Sequence, residues 1–215
     1  MKQIAIGDYV LGRNRVLRRG LWVEYASVAW MVVESLVALY AGFFAGSLAL
    51  LAFGGDSFIE LISSYTVLTY LRRVIGHPKL SRREVGAERV EWISSLLLVA
   101  LLPIIAAGAI YSYLAGHHPE STLLGIAVAA GAVIVMPVLW LEKLRIGKEA
   151  HCLPLTIDAI ESATCFFMSI ALLGGLLANY LFRVWWVDYV ATGIILAFVA
   201  KEAAESISEV RAEHK

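Results

Sequence analysis

Of the 215 residues, 60% are hydrophobic and 17% charged, the mean hydropathy is +0.74, and 18 basic residues balance 18 acidic ones. Soluble domains carry roughly 25% charged residues, so a soluble enzyme is excluded; disorder, which requires few apolar residues and much charge, is excluded with it. At ~20 apolar residues per transmembrane helix, the chain accommodates about six spans with short connections, a small polytopic membrane protein.

In chain order the apolar runs cover residues 21–40, 47–71, 90–114, 123–141, 153–178 and 186–200. They are apolar on all sides and longer than the ~10-residue alternating segments of a membrane barrel, so an all-α six-helix bundle is expected. Residues 1–20 read as a cytoplasmic N-terminal arm, 21–208 as the six-helix transmembrane domain and 209–215 as a cytoplasmic tail. The breaks at 41–46 and 116–121 are short and rich in turn-forming residues, which implies hairpins of neighbouring helices.

The basic residues set the orientation. All but Arg183 fall in the N-terminal arm, the loop after the second run, the stretch containing Lys143, Arg145 and Lys148, or the C-terminal end. Under the positive-inside rule both termini lie in the cytoplasm of a multi-pass cell-membrane protein. The first apolar run is as long as a span and lacks a small-residue cleavage site, so it reads as a retained helix. Basic residues beside a bilayer contact anionic lipid, and nucleic acid is not an expected partner. Cys152 and Cys165 are separated by ~20 Å along one helix and do not pair with each other.

Acids inside the apolar runs carry the functional signal: Glu34 in the first, Asp56 and Glu60 in the second, Asp158 and Glu161 in the fifth. A charge at a helix centre costs roughly 2.5 to 3.5 kcal/mol on insertion, so these acids require a polar interior. Asp56 and Glu60 share a helix face, as do Asp158 and Glu161. Counting residues from the span ends puts all five in one layer near mid-membrane, with no Lys or Arg in a span core to pair with them. Oxygen ligands at one depth suit a dehydrated divalent cation exchanged for protons. A proton or sodium relay, or structural pairing of the acids, is the alternative. The second and fifth runs are the middle helices of two three-helix halves of opposite orientation, which suits an inverted-repeat transporter.

These residues also resemble a known family. Gly46 to Ser64 (GSLALLAFGGDSFIELISS) resembles the second-helix motif of the cation diffusion facilitators, in which a glycine–serine start leads to two acids four positions apart. His77 and Pro78 followed by Gly86, Arg89 and Glu91 resemble the lead into the third helix, Asp158 in LTIDAIES falls at the fifth-helix acid, and Trp186 and Asp188 open a stretch similar to the sixth helix. The resemblance implies a divalent-metal antiporter, most often for zinc, that exports metal in exchange for protons. It gives Asp56, Glu60 and Asp158 the role of metal ligands, with the metal as cargo and no cofactor. Glu161 is a candidate fourth ligand, and Glu34 a fifth or a proton carrier. The family's fifth-helix histidine would fall on Pro154, and a site of carboxylates without imidazole favours Mn2+ or Fe2+ more than a site containing histidine does. The family's cytoplasmic module after the sixth helix is expected to be absent, so that a homodimer would form through the membrane helices. A metal-binding sensor without transport and a passive cation channel are the competing functions; no motif for catalysis on an organic substrate is present.

Among the remaining residues, His151 and Cys152 open the fifth run as a candidate capture site, against a plain interfacial role. His117, His118 and Glu120 fall in an outer turn. Trp22, Trp92, Trp140, Trp185 and Trp186 fall near span ends as an aromatic belt. Pro103, Pro137 and Pro154 are expected to interrupt helices, and Gly54 and Gly55 to permit close helix approach.

Overall fold

The computed structural model describes residues 2–75 and 87–213, and their side chains within 12–75 and 96–205. His77, Pro78 and Gly86 lie outside the described residues, as do the side chains of Arg89, Glu91 and Trp92. Six helices follow one another: α1 (Lys2–Ala45), α2 (Leu48–Val74), α3 (Ala87–Leu114), α4 (Leu123–Glu149), α5 (Leu153–Phe182) and α6 (Val187–Glu213). Among the described residues α1 to α5 are long and apolar enough to cross a membrane. The sixth, which carries Asp188, Lys201, Glu202 and Glu205, is more polar and joins the bundle by packing against α3, α5 and α2.

Neighbouring helices close a ring in the order α1, α2, α3, α6, α5, α4 and back to α1, and α2 also reaches across the ring to α5. Hairpins account for most of this ring. Gly46, at a positive φ of 63°, turns the chain between α1 and α2, and Ser47 then caps α2 by accepting a hydrogen bond from the Leu50 amide. Lipid tails are as apolar as leucine, so contact between membrane helices depends on close packing, which small residues allow. A Cβ on Gly54 would stand 2.9 Å from the Leu39 amide nitrogen, so this glycine sets the α1–α2 distance, as the sequence suggested. At the α4–α5 hairpin a Cβ on Gly147 would meet Thr156 Oγ1 at 2.5 Å.

The helices extend beyond the apolar runs at several ends, α6 as far as Glu213. The expected arm continues as helix, because α1 begins at Lys2. The fourth run does not stop at 141: α4 continues to Glu149, so Lys143, Arg145 and Lys148 are helical and only 150–152 connect to α5. Its buried positions Met136, Leu139, Lys143 and Ile146 keep the spacing of one helix face, and this carries Lys143 inward. Pro154 interrupts nothing: it sits in the first turn of α5, where a missing amide hydrogen is harmless. Pro103 and Pro137 do lie inside α3 and α4. Exposed Trp22 and Trp186 accord with an interfacial belt.

The N-termini of α2 and α6 are fastened together. Asp188, buried in the first turn of α6, accepts from Ser47 Oγ at 2.5 Å and from the Leu48 amide at 3.2 Å. A carboxylate there satisfies otherwise unpaired amides and complements the positive ends of both helix dipoles. Replacement Asp188→Ala is expected to cost about 1–2 kcal/mol in SDS-titrated unfolding, with Asp188→Asn recovering part of that.

Candidate metal and proton site

The bundle interior contains the five acids named from sequence, on α1, α2 and α5, and the structure adds Glu24 on α1 and Lys143 on α4. Glu24, Glu34, Asp56, Glu60 and Asp158 are buried, and Glu161 is half-buried. Their arrangement is a column along α2 rather than one layer. From Asp56 to Ser64 the α2 face that meets the acids extends over ~12 Å of helix axis, at 1.5 Å per residue.

Each level of the column is a short polar contact. At the level of Ser57, Glu34 Oε1 accepts from Ser57 Oγ at 2.7 Å and from Cys165 Sγ at 3.4 Å, and its other oxygen accepts from the Trp30 indole. Asp56 is 3% exposed, and its Oδ1 has no hydrogen-bond partner among the described residues. Lower on α2, Glu60 Oε1 lies 3.4 Å from Ser162 Oγ. Glu161 accepts from Ser63 Oγ at 3.0 Å, and Asp158 Oδ1 from Ser64 Oγ at 2.6 Å.

At the end of the column nearest the α4–α5 turn lies an ion pair with no surface exposure. Lys143 Nζ is 2.5 Å from Asp158 Oδ2 and 3.7 Å from Glu24 Oε1, and it donates to Ser162 Oγ at 3.1 Å. This corrects the expectation that no basic group reaches a span core. The sequence reading ended the fourth span at the cluster Glu142, Lys143 and Arg145; the signal it passed over is the inward spacing of Met136, Leu139, Lys143 and Ile146. Glu24 was missed because it lies close to the basic arm. The serines were missed because hydroxyls are common in membrane helices and carry no charge signal.

Among the described residues no three His, Cys, Asp or Glu side chains come together closely enough to hold one metal ion. Glu34 and Asp158, both expected as ligands, are engaged with separate partners at different levels of α2. Cys152 and Cys165 are free and buried, and Cys165 joins the Glu34 cluster. His151, exposed and at a positive φ of 49°, sits in the turn before α5, away from the column. At the opposite end His118 stacks on Trp185, and the His117 carbonyl accepts from Tyr189 Oη.

Ionisable groups enclosed by membrane helices mark ion pathways, proton relays or counter-ions to a ligand. The chain matches the cation efflux transmembrane domain over residues 25–213, and it belongs to that family, whose members are transporters rather than enzymes. The expected resemblance to the cation diffusion facilitators is thereby met. A similar protein is the manganese efflux system protein MneS of Bacillus subtilis (strain 168), 24% identical over 197 residues, which make up 90% of this chain and 67% of that protein.

Removing one buried donor leaves its carboxyl partner underserved at roughly 1–3 kcal/mol. Ser57→Ala, which takes a hydroxyl from Glu34, is therefore expected to lower the thermal midpoint of the detergent-solubilised protein, whereas Thr164→Ala, on the exposed hydroxyl that bonds only its own helix, is expected to leave it unchanged.

Proposed function

We propose that this protein exports a hard divalent metal, Mn2+ in the first place and Fe2+ in the second, in exchange for protons, and that Asp56, Glu60, Asp158 and Glu161 are its ligands, with Glu34 a further ligand or a proton carrier. The observation that carries the reading is the imbalance of charge in the interior. Glu24, Glu34, Asp56, Glu60, Asp158 and Glu161 face only Lys143 among the described residues. Uncompensated carboxylates in a low-dielectric interior cost several kcal/mol each, so the surplus is neutralised either by protons or by a metal ion. The two states exclude each other, and that exclusion is the basis of antiport.

Ligand chemistry supports the choice of metal. Asp56, Glu60, Asp158 and Glu161 offer carboxyl oxygens with serine hydroxyls beside them, the Cys165 thiol stands at the level of Glu34, Pro154 stands where the family's histidine would fall, and the described histidines lie at the ends of the bundle. Oxygen-only sites suit Mn2+ better than Zn2+, which prefers imidazole and thiolate. The name of the Bacillus relative points the same way.

The hydrogen bonds support movement. Serine contacts between membrane helices average about 0.6 kcal/mol, so the Ser63–Glu161 and Ser64–Asp158 contacts between α2 and α5 exchange at little cost. Movement of α5 against α2 would bring carboxyls from different levels to one ion, and alternating access would then carry that ion across. Both termini are assigned to the cytoplasm, with the α4–α5 turn on the entry side. In proteoliposomes with an imposed pH gradient, Mn2+ flux is expected to follow the gradient, and Asp56→Asn or Asp158→Asn to reduce it to the level of protein-free vesicles. Flux indifferent to the gradient would identify a passive channel, and full activity in both variants would refute the ligand assignment.

A further inference from the structure

We propose that the Lys143 ammonium is a tethered cation that occupies the metal's place at Asp158 between transport cycles and swings toward the α4–α5 turn when a metal ion enters. The proposal rests on the reading of Asp158 as a metal ligand and adds to it the identity of the competing cation. Lys143 collects oxygens much as an entering ion would: Asp158 at 2.5 Å, Ser162 at 3.1 Å and Glu24 at 3.7 Å. Through Ser162 it connects to Glu60, whose Oε1 is 3.4 Å from the same hydroxyl. The oxygens that accept from it come from α1 and α5, with α2 reached through the serine, so the ammonium lies at the seam where α4 meets the acid column.

Like charges exclude each other from one carboxylate. A divalent ion bound to Asp158 with Lys143 still in place would meet an unscreened positive charge in a dry interior. Metal binding therefore requires the lysine to leave, and a lysine that returns would displace the metal at release.

The side chain has a place to go. Six residues separate Lys143 from the end of α4 at Glu149, ~9 Å of helix axis, and lysine readily extends its stem along a helix toward the interface. A pair with a purely structural role would instead hold Lys143 in place whether or not metal is bound.

The decisive measurement uses the intact parent protein. Purified protein is labelled with an amine-reactive succinimidyl ester at pH 8, with and without saturating MnCl2, and modification of Lys143 and Lys148 is read by mass spectrometry. Mn2+ is expected to raise labelling of Lys143 severalfold while Lys148 is unchanged. Lys143 labelling that Mn2+ leaves unchanged or lowers overturns the tether. In a second arm, free Mn2+ is followed by electron paramagnetic resonance: Lys143→Met is expected to bind Mn2+ about tenfold more tightly, because the form available to metal is no longer a minor population. Weaker binding by Lys143→Met also overturns the proposal. Asp158→Asn separates the two ideas. If it binds Mn2+ as the parent does, the ligand reading fails; if it loses binding while Lys143 labelling in the parent is insensitive to metal, the tether alone fails.

Discussion

Placing acids inside a membrane bundle is the constraint on which the rest of this structure depends. A carboxylate without compensation costs several kcal/mol away from water, and the interior described above contains six carboxyls beside one ammonium. The fold meets that cost locally. Ser57, Ser63 and Ser64 on α2 and Ser162 and Cys165 on α5 supply a donor or a short polar contact to nearly every acid, and Lys143 supplies charge at one end. This compensation is least complete at Asp56 and Glu24: Asp56 Oδ1 and both Glu24 carboxyl oxygens have no hydrogen-bond partner among the described residues, and Lys143 stands 3.7 Å from Glu24.

That incomplete compensation has a mechanical counterpart. Glycine packing at Gly54 and Gly147 holds the hairpins α1–α2 and α4–α5 tightly, whereas the contacts across the ring from α2 to α5 run through exchangeable hydroxyl–carboxyl bonds. Stiff hairpins with weak polar contacts between them move as units. The staple between Asp188, Ser47 and the first amides of α2 fastens the opposite end of the bundle, so in the proposed mechanism relative motion would be concentrated toward the α4–α5 turn. The carboxyl column therefore lies at a seam built from bonds that are cheap to exchange.

Much of this was legible in the sequence. Runs of apolar residues separated by glycine-rich turns specify the hairpins, and Asp56, Glu60 and Asp158 stand out because charge in such runs is rare. The family followed from the spacing around Asp56 and Glu60 together with the Trp186–Asp188 stretch. Three things were not legible. Lys143 reads as part of the loop after the fourth run because charged residues flank it, although helical spacing from Met136 onward turns it inward. The vertical offset between α2 and α5 depends on packing, so residue counting merged a column of acids into one layer. The serines signal nothing on their own, and they acquire a role only when an acid stands opposite.

In the proposed exchange the interior surplus of carboxyls is held neutral by protons until a metal ion replaces them. Titrating purified protein in weakly buffered detergent solution with MnCl2, while following pH with an indicator dye, tests it directly. About one to two protons released per bound Mn2+ is the expected result, since carboxyl ligands must give up their protons to the metal. Stoichiometric Mn2+ binding with no proton release would contradict the account.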